Sequence, residues 1–154
     1  MAKTNKHNAD AHMAEHLIDA VSDTYLLAIK THGYHWNVTG PLFPQLHAQF
    51  GEQYEALLEA ADELAERIRA LDFPAPGSVA AFLDNTGIRE ASGQPLKASA
   101  MVQDLLKSHE TVRDRIEEAR AFADETDDRA TEDMLIGRLE AHDKIIWMLR
   151  SQVG

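Results

Sequence analysis

The sequence predicts an all-α domain: four long helices in a bundle, with a short extra helix in the long connection between the second and third. Three observations predict it. Apolar residues recur at helical spacing through four long segments. Ala, Leu, Glu and Asp are abundant, while the 154 residues include only five prolines and eight glycines. Turn-forming residues gather at a few points instead of recurring at strand intervals, so an all-β sandwich is excluded.

From about Asp10 to Trp36, Met13, Leu17, Val21, Leu26, Leu27 and Ile29 form the first stripe, and residues 1–9 are left as a flexible N-terminal tail ahead of a domain spanning 10–154. Gly40, Pro41 and Pro44 end that helix in a turn. The second helix, about Pro44 to Asp72, sets Leu46, Phe50, Leu57, Ala61, Leu64 and Ile68 within roughly 80–100° of arc. Phe73 to Pro95 carries three prolines and three glycines, with Ser78 before Val79-Ala80-Ala81-Phe82-Leu83 as the start of the short extra helix. A connection this long is expected to cross a bundle or build an interface. The third helix runs from about Ala98 to Ala123 on Met101, Leu105, Leu106, Val112, Ile116, Ala119 and Phe122. After an acidic turn the fourth, about Thr131 to Ser151, carries Leu135, Leu139, Ile145, Ile146 and Leu149. Two short connections and one long middle one are the arrangement of a ferritin-like bundle.

Composition bounds the chemistry. The absence of cysteine excludes a disulfide framework, a thiolate zinc site, an iron–sulfur cluster and a cysteine nucleophile. A formal net charge of −11 repels nucleic acid on average and favours collecting cations. No signal-type or membrane-spanning apolar run is read, so a cytoplasmic protein without a membrane partner is expected.

His35, His47, Asp62 and Glu66 are ligand types suited to Fe(II), Zn(II) or Mn(II). On the second helix His47, Gly51, Leu58, Asp62 and Glu66 share about 100° of arc. Yet His47 and Asp62 lie fifteen residues apart, on the order of 22 Å along the axis, so one helix cannot bring them to one ion. An antiparallel copy packed about a two-fold axis near residues 54 and 55 places His47 of one subunit opposite Asp62 of the other, giving two equivalent sites per dimer. Singly, each residue has a plainer reading, as a core histidine or a solvated carboxylate; the joint spacing favours a metal site only together with the resemblance described next.

The run His35-Trp36-Asn37-Val38-Thr39-Gly40, with His47 twelve residues after His35 and the pair Asp62 and Glu66 beyond, resembles the Dps mini-ferritins. The resemblance covers nearly the whole chain, including Asp133-Met134-Leu135-Ile136 and Asp143-Lys144-Ile145-Ile146-Trp147-Met148. It implies a dodecameric shell with iron sites at two-fold interfaces, oxidising Fe(II) preferentially with hydrogen peroxide and storing ferric mineral. His35 and His47 would come from one subunit and Asp62 and Glu66 from its neighbour, with zinc as a substitute for iron. The chain departs from the pattern at Gly51, where the family usually has an acidic residue. Trp36 would intercept stray oxidising equivalents. Glu52, Glu55, Glu59 and Glu63, a second stripe roughly 80° wide, would line the cavity and nucleate mineral.

Asp124, Asp128 and Asp133 have two readings: lining a three-fold pore for cations, or capping the fourth helix. Lys3 and Lys6 are the N-terminal candidates for DNA contact, which is expected to be weak or absent at neutral pH; nucleoid association would require it. His12 and His16 read as a surface pair and His32 as a neighbour of the site. His109-Glu110-Thr111-Val112-Arg113 lacks the second histidine of a zinc-protease motif. A nucleoid-packing shell with vestigial iron chemistry and a purely structural bundle are the competing functions.

Overall fold

The computed structural model describes the backbone of residues 2–153 and the side chains of residues 5–153. The described residues form five helices: α1 (Ala2–Asn37), α2 (Phe43–Ala70), α3 (Val79–Asn85), α4 (Ala98–Glu125) and α5 (Arg129–Arg150). The fold is the ferritin-like bundle the stripes predict, with α3 as the extra helix. α1 packs along α2 and α4 along α5; α1 also meets α4 and α3. Arg67 of α2 closes the remaining side, donating to Thr131 (2.8 Å) and Asp128 (2.9 Å) on α5.

The first helix begins at Ala2, not Asp10. Residues 2–9 contain no glycine or proline, Lys6 pairs with Asp10 one turn ahead at 3.0 Å, and His7 stacks on Phe73 across the loop after α2. α1 ends where Gly40 takes φ +102°, a conformation that favours glycine, and Pro44 sits in the first turn of α2.

The core follows the stripes. All six residues named on α2 are buried, as are Met13, Leu17, Val21, Leu26, Leu27, Leu105, Val112, Ile116 and Leu135. Ile29 is the one exposed member of the stripes, at 48%, while Leu106, Phe122 and Ile145 are half-buried. Full burial of each large apolar side chain contributes about 1.5–3 kcal/mol.

The long connection is fastened, not loose. Ser78 caps α3 by accepting the Ala81 N–H. The fully buried Asp23 accepts the Gly87 N–H (2.7 Å), the Thr86 hydroxyl (2.9 Å) and Arg115 Nη1 (2.7 Å), while Arg115 also donates to Asn85 O and pairs with Asp19. Burial pushes the Asp23 carboxyl above the usual carboxylate range, against the pull of these donors. A Cβ on residue 87 would fall 2.6 Å from Arg115 Nη1, so the clamp requires Gly87.

Candidate metal centre

His35 sits in the last turn of α1 and His47 in the second turn of α2; the tight turn between the helices lays one ring on the other, centroids 3.8 Å apart and 16° from parallel. The hydrogen bonds are reciprocal. His35 Nδ1 donates to the His47 carbonyl (2.6 Å) and His47 Nδ1 donates to the His35 carbonyl (2.7 Å). Because a carbonyl only accepts, each Nδ1 carries a proton, and in the neutral ring the lone pair is then on Nε2. That is the arrangement by which a second hydrogen bond orients a metal-ligating imidazole. The His35 carbonyl, at the C-terminal end of α1 where helical partners run out, gains a donor in the process.

Gly51 belongs to this geometry. A Cβ on residue 51 would stand 3.1 Å from His35 Cε1 and 3.2 Å from Nδ1. The His35 ring occupies the space a side chain would need to reach the His47 carbonyl. The glycine that leaves the site without an acidic residue at this position also seats one of its histidines.

Around the pair runs a ladder of rings. Tyr54 meets His35 edge-on at 5.6 Å and stacks on His32 at 3.8 Å; His32 contacts Trp36 at 4.0 Å; Phe43 covers the other side of His47 at 5.1 Å. Trp36 itself is 65% exposed. Tyr54 and Phe43 escaped the sequence reading, although Tyr54 had a usable signal: it falls seven residues after His47, on the same face of α2.

Asp62 and Glu66 are exposed further along that face. α2 is continuous from Phe43 to Ala70, so the axial separation from His47 stands, and among the described residues no three His, Asp or Glu side chains of one chain cluster to hold an ion. The chain brings the two imidazoles together and leaves the carboxylates apart. Leu58, midway along the shared face, is an exposed apolar residue.

Glu52, Glu55, Glu59 and Glu63 are all exposed along the neighbouring stripe. At the acidic turn, Asp127 adopts φ 56° and Asp128 is the N-cap of α5, accepting the Thr131 N–H (3.2 Å) and pairing with Arg67. Its other oxygen accepts the Thr131 hydroxyl. Both Asp128 oxygens are therefore engaged, the capping alternative, whereas Asp124 and Asp133 are exposed. Lys6 is occupied by Asp10, and the Lys3 side chain lies outside the described residues. The His12 and His16 rings lie against Phe122.

One buried group was not read from the sequence. His109 of α4 and His142 of α5, both fully buried, face each other with Nδ1 atoms 2.9 Å apart, and neither Nε2 meets a partner within the described residues.

Comparison with known proteins bears on this arrangement. The Ferritin family, a ferritin-like domain, matches residues 14–154. The chain is 36% identical over 131 residues to the DNA protection during starvation protein of Brevibacillus brevis, covering 85% of this chain and 87% of that protein. It is 41% identical over 135 residues to a low temperature-induced protein of Nostoc sp., covering 85% and 74%. Its fold superposes with TM-score 0.92 and 27% identity on a Dps protein of Vibrio cholerae, described as a member of a superfamily of ferritin-like diiron-carboxylate proteins, covering 96% and 92% of the two chains.

Proposed function

Because the chain belongs to the Dps family of ferritin-like proteins, we propose that it is a ferroxidase and iron store. It oxidises Fe(II) at sites shared between two subunits, preferentially with hydrogen peroxide, and holds the ferric product in a dodecameric shell. The observation that carries this reading is the reciprocal hydrogen bonding of His35 and His47, which stacks the two rings at the end of the α2 face and commits each Nδ1 to a carbonyl, leaving each Nε2 as the nitrogen that can ligate. Metal-ligating histidines donate their other ring N–H in this way. Asp62 and Glu66 of a two-fold partner complete the donor set, and the exposed Leu58 between them and His47 supplies apolar surface for that contact.

Two imidazoles and two carboxylates, without thiolate, suit Fe(II), and zinc competes for the same donors. Each Fe(II) gives up one electron. Two of them cleave the O–O bond of one peroxide, which takes up two protons and leaves as two waters, so no hydroxyl radical is released. The exposed Trp36 and the adjoining Tyr54 are oxidisable rings within reach of the site and intercept any single-electron leak. Asp124 and Asp133 line the path by which cations enter, with Asp128 held back as the α5 cap. Glu52, Glu55, Glu59 and Glu63 face the cavity and nucleate mineral. The protein works in the cytoplasm as a homo-oligomer, and DNA binding through Lys3 and Lys6 is weak or absent at neutral pH.

The test is anaerobic Fe(II) loading of the purified shell followed by stoichiometric peroxide, with soluble ferric absorbance recorded. Fast oxidation that stays in solution, lost in His35→Ala/His47→Ala while assembly persists, is expected. Oxidation no faster than in buffer, with ferric precipitate, would refute the ferroxidase.

A further inference from the structure

The chain carries a polar cavity in the groove between α1 and α4, roofed by the loop after α3. It encloses about 360 Å³, at the lower end of the range for small-molecule pockets. Its wall is rich in donors. Lys30 is buried, its Nζ bonded to Asp104 (3.1 Å) and to Ser108 Oγ (3.0 Å). The three N–H groups of the ammonium are directed at the two Asp104 oxygens and at Ser108; Ser108, having accepted from Lys30, still has its own hydrogen to donate. Arg89 and Lys107 also line the cavity, and neither pairs with a carboxylate among the described residues.

Asp104, the cavity's carboxylate, already accepts from two residues. Its Oδ2 accepts the Tyr34 hydroxyl at 2.6 Å as well as Lys30, and its Oδ1 accepts Lys30 at 3.3 Å. The Tyr34 hydroxyl is the donor in that contact. The remaining capacity of the wall is cationic and hydrogen-donating, on a chain whose net charge is −11. The roof is fixed beforehand, because Asp23 and Arg115 hold Thr86 and Gly87 in place. Excess donors in a rigid concave site select a compact anion with several acceptor oxygens.

We propose that this cavity binds a phosphate-class oxyanion, with Lys30 and Ser108 at its floor and Arg89 and Lys107 at its mouth. The chemistry is shared by free phosphate and by a small phosphate monoester. Calorimetric titration of the metal-free assembled protein with inorganic phosphate, and separately with glycerol 3-phosphate, tests it against Arg89→Ala/Lys107→Ala, two exposed positions whose loss leaves the core intact. Saturable binding of one anion per chain is expected, weakened by about tenfold or more in the variant, with circular dichroism and zinc binding unchanged. Tighter binding of phosphate would identify the free anion as occupant, tighter binding of the ester a phosphorylated small molecule. No saturable heat with either probe, or equal binding by the variant, would overturn the site. A short DNA duplex bound through Arg89 and Lys107 would overturn the small-molecule assignment.

Discussion

The imidazole of His35 reaches the His47 carbonyl across the space left by the missing side chain of Gly51, and each ring thereby keeps its Nε2 free. Gly51→Ala isolates the effect. Alanine gains about 1 kcal/mol of helix propensity, while its Cβ presses on the His35 ring from 3.1 Å. The ring must give by a few tenths of an ångström, which lengthens the 2.6 Å bond that orients it. Gly51→Ala is expected to weaken zinc binding by about tenfold, the equivalent of about 1.4 kcal/mol, while thermal stability changes by no more than about 1 kcal/mol. Zinc titration alongside a melting curve separates the two. Unchanged zinc affinity would mean that Gly51 has no part in seating His35.

Among the helices, α2 sets the reach of the metal site and the α4–α5 pair sets the acid sensitivity. α2 runs for 28 residues without a break, so its ligand face extends beyond what one ion can span. Between α4 and α5, burial and then Arg138 push His109 down to about 3, and burial, His109 and Arg138 depress His142 as well. Arg138 is itself half-buried on α5, with Glu63 of α2 as the carboxylate acting on it. The ordinary histidine value is 6.5. Below it the unfolded chain takes up protons that the folded chain refuses, so stability is present at neutral pH and declines as pH falls from about 6.5 towards about 3. Thermal denaturation across that range should show the decline in the wild-type protein and a flatter profile in His142→Gln, which removes one of the two groups. Equal slopes would show that the pair does not control acid stability.

In the assembly proposed above, each metal site draws on two chains. A His35→Ala/His47→Ala chain and an Asp62→Ala/Glu66→Ala chain should each be inactive alone. In a mixed two-fold dimer, both defects fall in one site and the other site is intact. Unfolding and co-refolding the two variants in equal amounts should therefore restore about a quarter of wild-type Fe(II) oxidation, since about half of random dimers are mixed and each has one good site of two. Oxidation that stays at background after co-assembly would place all four ligands within one chain and remove the need for the two-fold contact.

Much of this was legible in the sequence because a helix carries its own coordinate system. A spacing of four residues on α2 means the same face wherever the helix lies, so the six core positions of α2, the histidine–carboxylate face and the impossibility of a one-chain site all follow from counting. Ile29 shows the limit of that counting: its spacing from Leu26 fits a stripe, yet Ile29 is exposed where Leu26 is buried. Relations across helices depend on packing, which spacing does not encode. The mutual bonding of His35 with His47, the place of Gly51 beneath the ring, the meeting of His109 with His142 and the capture of Asp128 by Arg67 are set only when separate helices dock. The helical start at Ala2 is of the same kind, since His7 finds Phe73 only after α2 has folded back along α1. Periodicity is a local property of the chain; hydrogen-bond partnership between helices is a property of their closest approach.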